Sequence, residues 1–193
     1  MRVGRDAPQR RLHLVRHGPV EIDPNLESSE WKLAAEAAPA ILELAEGLRG
    51  CGFRRIVASP QRKATATARI LADALGLPVK VRDGLEEHHR PKAQQSALEA
   101  AFRAKLRRLF ARPSEVVFGA ESAAAALGRF RAAVSGVMAE TEDDELVVSH
   151  GTVISLLAAA GGNGRAEDIW ASLRLPDHLV LAWPSLVLES RRL

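Results

Sequence analysis

The stretch Leu12-His13-Leu14-Val15-Arg16-His17-Gly18-Pro19 decides how the rest of the sequence is interpreted. Its short apolar run ends at an arginine, a histidine and a glycine, which is typical of a buried strand of a parallel sheet followed by a turn. Such sheets bind ligands just beyond the carboxyl ends of their strands. We therefore expect Arg16 and His17 at the rim of a crevice, with Gly18 allowing a sharp turn. Taken alone, the stretch fits equally well a strand that ends in polar residues.

The composition limits the class of protein. The chain has 193 residues, enough for one domain with a sizeable core. Its formal net charge of +3 fits a small anionic substrate and is too low to indicate a nucleic-acid partner. The single cysteine, Cys51, excludes an internal disulfide and a cysteine-based metal cluster, and it favours a reducing compartment. Residues 1–11 do not resemble a signal peptide and no apolar stretch could span a bilayer, so we expect a cytoplasmic protein with no membrane partner.

Strands and helices alternate in the first half of the sequence. Further short strands are predicted at residues 55–58 and 77–82. A helix is predicted over about 31–49, where Pro39 could bend it, and a second runs from Ser59-Pro60 to about Leu75. This β-α-β-α-β order is typical of a doubly wound sheet. We therefore predict an α/β fold, a three-layer α/β/α sandwich with a mostly parallel sheet.

The alternation is interrupted after residue 82. A charged loop is followed by an amphipathic helix with a basic outer face, whose apolar positions are Leu98, Phe102, Leu106, Leu109 and Phe110. We expect residues 83 to about 120 to form a small helical cap, inserted into a single domain of residues 1–193. The remaining predicted elements are a helix from Ser122, a strand at 145–149, helices at 153–160 and 167–173, and closing edge strands at 178–183 and 186–188.

Polar motifs follow three of the predicted strands. Arg16-His17-Gly18 ends the first strand, Ser149-His150-Gly151 ends the fourth, and Arg62 lies just beyond the second. Because the carboxyl ends of parallel strands meet at one edge, two histidines and two arginines should converge beside helix N-termini. Each residue alone is more often structural or solvated. The ordered set predicts an anion pocket of guanidinium groups, imidazoles and backbone N–H groups.

These motifs resemble those of branch 1 of the histidine phosphatase (phosphoglycerate mutase-like) superfamily. The resemblance extends from Leu12 to about Trp183 and rests on four segments: Leu14-Val15-Arg16-His17-Gly18, the run from Ser59 to Ala68, Glu121-Ser122 with Arg129, and Ser149-His150-Gly151. It implies a phosphoglycerate mutase-like fold in which His17 attacks phosphorus and becomes a phosphohistidine. It also implies that Arg16, Arg62 and His150 hold the phosphoryl oxygens, that Gly18 and Gly151 line the substrate site, and that no metal or other cofactor takes part.

A general acid must protonate the leaving alcohol. The resemblance implies a carboxylate in Gly84-Leu85-Glu86-Glu87; the spacing selects Glu87, and Glu86 is the alternative. The neighbouring pair His88-His89 could suggest a metal site. Adjacent side chains point apart in an extended segment, however, and no further ligand has an obvious spacing, so we expect no metal there. A substrate contact by one of these two histidines stays open.

The sequence departs from the family pattern at positions that bear on the substrate. Val20 and Asp23 stand where relatives carry a hydroxyl and an asparagine, and Arg90-Pro91-Lys92 replaces a glycine-aromatic-glutamate-glycine run. The carboxylate of Asp23 would repel a second anionic group on the substrate.

The leading interpretation is a metal-independent phosphomonoesterase acting on a small phosphorylated metabolite. The alternatives are phosphoglycerate mutase-like phosphoryl transfer, a phosphohistidine protein phosphatase, and a non-catalytic anion-binding domain on the same fold. A domain without catalysis need not keep the nucleophile, which argues against the last alternative. The closing strands and Trp183 offer an edge through which two copies could form a homodimer.

Overall fold

A computed structural model describes residues 9–90 and 99–192 of the chain. The strands are β1 (Arg11–Arg16), β2 (Ile56–Ala58), β3 (Val79–Val81), β4 (Glu145–Ser149), β5 (Asp177–Ala182) and β6 (Leu188–Arg192). The helices are α1 (Ala37–Leu48), α2 (Arg62–Leu75), α3 (Glu99–Ala111), α4 (Ala123–Ala139), α5 (Gly151–Ala160) and α6 (Ala166–Ser172), and a 3₁₀ turn spans Ser28–Glu30. The predicted positions Pro91, Lys92 and Leu98 lie outside the described residues.

The strands form one six-stranded sheet in the order β3-β2-β4-β1-β5-β6. Strands β3, β2, β4 and β1 are parallel, whereas β5 pairs antiparallel with β1 and β6 pairs antiparallel with β5. The prediction of a mostly parallel sheet closed by strands at its edge is confirmed. Strand β1 lies beside β4, so the ends of the first and fourth predicted strands are neighbours.

Apolar side chains cover both faces of the sheet. Leu14, Val57 and Val147 belong to a buried cluster with Phe130 of α4. Their neighbours along the strands, including Val15 and Val148, point to the other face and pack with residues of α1 and α2. This alternation follows from the two-residue period of a strand. The three-layer α/β/α sandwich is confirmed.

Helix α3 packs on the same side of the sheet as α4, α5 and α6. Its residues Leu106 and Leu109 are buried in the first cluster, and the ring of Phe102 lies 6.1 Å from that of Trp170 in α6. The predicted basic outer face includes Arg107, which is paired with Glu167 of α6 at 3.6 Å. The single-domain boundaries and the extent of the cap over 83–120 stay predictions.

Several predicted boundaries differ from the structure: β3 spans only Val79–Val81 and α5 already begins at Gly151. Helix α1 begins at Ala37 rather than near residue 31, so Pro39 lies in its first turn, where its missing N–H breaks no hydrogen bond and causes no bend. Helix α2 begins at Arg62, and Ser59 does not cap it. The last strand runs over Leu188–Arg192 instead of 186–188, because Leu186 has a φ of 62° in the turn before it.

None of the helices within residues 9–90 and 99–192 combines the length and apolarity that crossing a membrane requires.

Candidate active site

The central strands hold three chain segments side by side at the carboxyl edge of the sheet. The N–H of His17 donates to the carbonyl of Ser149 at 3.0 Å, which continues the β1–β4 ladder beyond Arg16. The N–H of Ser59 donates to the carbonyl of Val148 at 3.0 Å on the other side of β4. The backbone therefore fixes the relative positions of the segments that follow β1, β2 and β4.

The ring of His17 is held in one tautomer. Its Nδ1 lies 2.8 Å from the carbonyl oxygen of Gly18. A carbonyl only accepts hydrogen bonds, so Nδ1 carries the proton and donates it, and the neutral ring has its lone pair on Nε2. Nε2 is the nitrogen that such a ring offers as a nucleophile.

The turn after His17 requires glycine because of a close contact. A Cβ at Gly18 would lie 2.8 Å from Cδ1 of Ile41 in α1. The N–H of Gly18 donates to Oγ1 of Thr67 at 3.0 Å, and that hydroxyl donates to the carbonyl of Lys63 at 2.8 Å. Helix α2 is thereby fastened to the turn that carries His17.

The surroundings of His17 favour its neutral form. Burial, followed by the charge of Lys63, lowers the pKa of His17 to about 3, although the hydrogen bond to Gly18 opposes the shift. The ring is 7 % exposed. At neutral pH the imidazole is therefore unprotonated and its Nε2 lone pair is available.

His150 lies beside His17, with the two ring centroids 5.2 Å apart. Nε2 of His150 lies 2.8 Å from Oγ of Ser59, while Nδ1 is buried and has no hydrogen-bond partner among the described residues. Burial, then the charge of Lys63, holds the pKa of His150 well below its usual value. When Nε2 accepts from the serine hydroxyl, Nδ1–H is an unsatisfied donor at the centre of the site. The hydroxyl of Ser59 also accepts from the N–H of Gln61 at 3.3 Å, so it contacts both His150 and the segment just before α2.

Arg16 is inserted beneath the start of α5. Its Nη1 donates to the carbonyl of Leu173 at 2.8 Å, and its guanidinium lies 5.8 Å from the ring centre of Trp170. A Cβ at Gly151 would lie 3.0 Å from Nε of Arg16, so glycine makes room for the guanidinium. Nε itself is buried without a partner in the described part of the chain. A buried N–H without a partner is a donor that a bound anion could satisfy.

The structure does not bring Arg62 into this cluster. Its side chain is exposed, and none of the hydrogen bonds or ion pairs among the described residues involves it. Lys63 takes the place expected for Arg62: it is 4 % exposed, and its charge lowers the pKa of both His17 and His150. Its Nζ donates to the carbonyl of Ser28 at 2.5 Å and lies 5.5 Å from the ring centre of Trp31.

The phase of α2 explains this correction. Residues four apart share a helix face, so Lys63 lies on the same face as Thr67, which is buried against Gly18. Arg62 is turned about 100° away from it. The sequence already indicated an inward face of this helix that includes Thr67 and Leu71. The residue one turn earlier on that face is Lys63, so the same pattern would have selected Lys63. Burial also lowers the pKa of Lys63 to about 7.

Glu87 is buried beside these cations. Its Oε1 accepts from the N–H of His88 at 2.8 Å, and its Oε2 accepts from the N–H of Thr152 at 3.1 Å and lies 3.0 Å from Nη2 of Arg90. Burial raises the pKa of Glu87, but the charges of Arg90 and Lys63 and the two backbone hydrogen bonds outweigh it and lower this pKa to about 2. The free site therefore contains a carboxylate among three cations: Arg16, Lys63 and Arg90.

Glu86 points away from the cluster. Its Oε2 lies 3.3 Å from Nη1 of Arg129 in α4. Arg129 also donates to the carbonyls of Gly84 and Glu86 at 3.0 and 2.9 Å and to that of Glu87 at 3.2 Å, so it holds the whole loop. Of the two candidate acids, only Glu87 is directed toward the histidines.

The two histidines after Glu87 contact neighbouring segments of the chain. Nε2 of His88 lies 2.8 Å from the carbonyl of Glu121, and its ring packs against Phe118. His89 is exposed, and its N–H donates to a carboxylate oxygen of Glu121. Among residues 9–90 and 99–192, no group of three His, Cys, Asp or Glu side chains is arranged to hold a metal ion.

Val20 and Asp23, two positions that depart from the family pattern, contact the segment that leads to α1. Val20 forms a bridge with Leu33, and Oδ1 of Asp23 accepts from the N–H of Asn25 at 2.8 Å. The carbonyl of Asp23 accepts from the indole of Trp31 at 2.9 Å. Asp23 therefore shapes the segment whose Trp31 covers Lys63.

The comparison with protein families identifies the class of protein. The family model of the histidine phosphatase superfamily (branch 1) matches residues 12–179. The chain belongs to this superfamily. No match among curated proteins reaches significance.

Solved structures share this fold over nearly the whole chain. A mycobacterial glucosyl-3-phosphoglycerate phosphatase in complex with VO₃ has a TM-score of 0.69 and 24 % identity, covering 95 % of this chain and 96 % of its own. A putative alpha-ribazole-5'-P phosphatase from Escherichia coli has a TM-score of 0.70 and 22 % identity, with coverages of 95 % and 96 %. YhfR of Bacillus stearothermophilus has a TM-score of 0.73 and 17 % identity, with coverages of 93 % and 94 %. The family thus includes phosphatases, and these likenesses establish the fold.

Proposed function

We propose that this protein is a phosphomonoesterase that hydrolyses small phosphate esters through a phosphohistidine on His17, without a metal ion. The observation that carries the proposal is the unprotonated Nε2 of His17, placed beside His150 and Arg16, each of which has a buried nitrogen without a partner among the described residues, Nδ1 of His150 and Nε of Arg16. The phosphatases among the solved structures of this fold support the same class of activity.

The phosphoryl group would bind among Arg16, Lys63 and His150. Charge-assisted hydrogen bonds from the guanidinium and ammonium groups neutralise its oxygens, and the N-terminus of α5 adds backbone N–H groups and a partial positive charge. A bound dianion also favours the protonated form of Lys63. These fixed donors stabilise the charge that develops on the phosphoryl oxygens in the transition state.

The chemistry would then proceed in two displacements. Nε2 of His17 forms a bond to phosphorus as the ester P–O bond breaks, and the electron pair of that bond stays on the leaving oxygen. A proton from Glu87 neutralises this oxygen and releases an alcohol. Water next attacks the phosphohistidine, which frees His17 and inorganic phosphate. For Glu87 to act, the bound substrate must first raise its pKa from about 2.

The proposal also covers the substrate, the cellular compartment and the partners of the protein. The substrate is proposed to be a small phosphorylated metabolite in the cytoplasm, whose phosphoryl group the buried cations Arg16 and Lys63 would bind. Neither nucleic acid nor membrane is part of the proposal, and a homodimer through the β5–β6 edge is consistent with it.

The test of the proposed function is hydrolysis of 4-nitrophenyl phosphate by the purified protein. Because Arg16 and Lys63 supply the positive charge and His150 is a further ligand of the phosphoryl group, we expect turnover to be unchanged by a chelator and by added zinc or magnesium. Release of nitrophenolate, followed by absorbance, provides the measurement. Activity that disappears with chelator and returns with a divalent metal would contradict the proposed mechanism.

The second expected result concerns the general acid. The Glu87→Gln variant cannot donate a proton, so kcat/KM for an alkyl phosphate should fall by about 10²-fold or more. The rate for 4-nitrophenyl phosphate should fall by less than about tenfold, since nitrophenolate leaves without protonation. Steady-state kinetics on both esters measures the contrast. Glu86→Gln is the matched control, and a larger contrast in that variant would transfer the role to Glu86.

A further inference from the structure

Arg90 is a third cation of the site. The roles proposed for the nucleophile and for the phosphoryl ligands do not explain why a further cation lies here. Its side chain is 10 % exposed, and its Nη2 lies 3.0 Å from Oε2 of Glu87. Nε donates to the carbonyl of His88 at 3.2 Å, and the guanidinium lies 5.0 Å from the ring centre of Phe102 in α3. Arg90 is thus held between Glu87 and the helix that covers this side of the site.

The contacts of Glu87 favour its carboxylate form over the acid. Oε2 faces two donors, the N–H of Thr152 and Arg90, so a proton on this oxygen would oppose both. Oε1 accepts one N–H, from His88, and keeps a lone pair that could carry a proton. Among the charged groups that interact with Glu87, Arg90 has the greatest effect, followed by Lys63. Weakening the Arg90–Glu87 pair is therefore the direct way to let Glu87 bind a proton.

The balance of charges indicates what could weaken that pair. Arg16, Lys63 and Arg90 face a phosphoryl dianion and Glu87. When Glu87 is protonated for its role as an acid, the three cations exceed the dianion by one charge. One negative charge on the leaving group would restore the balance. The leaving oxygen has to lie within hydrogen-bond distance of Glu87, so a group attached one or two atoms away would meet Arg90.

We propose that Arg90 is a specificity-determining residue that selects phosphate esters with a carboxylate or second phosphate close to the ester oxygen, by exchanging its pairing with Glu87 for that group. The inference rests on the proposed function of the same site. Glu87 then takes a proton from solvent and passes it to the leaving oxygen as the P–O bond breaks. The leaving alcohol departs with its anionic group, and Glu87 pairs again with Arg90.

Two esters that differ in one group test this inference. Phosphoglycolate carries a carboxylate where hydroxyethyl phosphate carries a hydroxymethyl group. For the wild-type enzyme we expect kcat/KM to favour phosphoglycolate by about tenfold or more, since an unmatched buried charge discriminates strongly. Absence of this preference in the wild-type enzyme overturns the inference, whether or not any variant folds. A preference for hydroxyethyl phosphate overturns it as well, and it is the result that the repulsion predicted from the carboxylate of Asp23 would give.

Variants at position 90 distinguish the proposed ion pair between Arg90 and the substrate from an unspecific structural effect of the substitution. Arg90→Gln should bring the ratio of the two kcat/KM values close to one, chiefly by a loss for phosphoglycolate. Arg90→Lys should keep part of the preference. Arg112→Gln is the matched control, because Arg112 pairs with Glu115 on the surface, and its ratio should equal that of the wild type.

The same measurements distinguish this inference from the proposed function. With 4-nitrophenyl phosphate, which needs no acid and carries no second anionic group, Arg90→Gln should lose clearly less of its kcat/KM than it loses with phosphoglycolate. An equal loss on all three esters would make Arg90 a phosphoryl ligand and overturn the inference alone. Failure of the wild-type enzyme to hydrolyse any of the three would overturn the proposed function and the inference with it.

Discussion

The His17→Ala variant should lose turnover of 4-nitrophenyl phosphate by at least about 10⁴-fold. The reason is that Nε2 of His17 is the atom that bonds to phosphorus, and the donors around it cannot replace a missing nucleophile. The variant should also fail to acquire the acid-labile, base-stable phosphoryl label that a phosphohistidine produces. Rapid quenching of the wild-type enzyme with radiolabelled substrate measures that label.

The control for His17 is another histidine close to the site. His89 is exposed and follows the loop of Glu87, so His89→Ala removes an imidazole without removing the proposed nucleophile. This variant should keep both its turnover and its label. A His17→Ala enzyme that remains active, or that still acquires an acid-labile label, would require a different nucleophile.

The second large effect is expected at Lys63. Replacing it by methionine keeps the length of the side chain but removes the cation beside His17 and His150, so kcat/KM should fall by about 10²- to 10³-fold. Arg62→Met alters the neighbouring, exposed residue, and it should change kcat/KM by less than about threefold. Steady-state kinetics with one ester compares the two directly. If Arg62→Met has the larger effect, the phosphoryl ligand is Arg62 after all.

The titration of Lys63 gives this prediction a second readout. Its pKa of about 7 means that the free enzyme loses this cation as the pH rises through neutrality, so kcat/KM should decline on the alkaline side. Arginine stays protonated in this range. Lys63→Arg should therefore keep its kcat/KM up to higher pH than the wild type. Measurements between about pH 5.5 and 9 report this limb, and identical profiles for the two enzymes would contradict the assignment.

The sequence was informative wherever a strand end determined the position of a residue. Arg16, His17 and His150 follow apolar runs directly, so their meeting at one edge of the sheet required only that the strands be parallel. Glu87 was selected over Glu86 by its spacing in the family motif, and the loop directs Glu87 inward. The fold was predictable for the same reason, because the alternation of short apolar runs with amphipathic helices admits few architectures.

Contacts between distant segments were harder to predict. The choice of Lys63 over Arg62 depends on which face of α2 is buried against Gly18. The contact of Ser59 with His150 joins residues 91 positions apart, which no local pattern indicates. Arg90 was recognised only as a departure from a pattern. Its proposed role depends on Phe102 and Thr152. Both are distant from Arg90 in the sequence, so no local motif could have indicated that the three residues lie together.

The sheet order has a consequence for how this enzyme could be altered. The groups proposed to act on phosphorus come from β1, α2 and the start of α5, which the ladder through β4 holds together. The groups proposed to face the leaving alcohol come from the loop of Glu87 and Arg90, which contacts Phe102 of α3 and lies outside that ladder. Substitutions in the loop of Glu87 and Arg90 or in α3 leave the ladder of β1, β4 and β2 intact. Evolution or directed selection could therefore exchange one substrate for another here while the reaction at phosphorus stays the same.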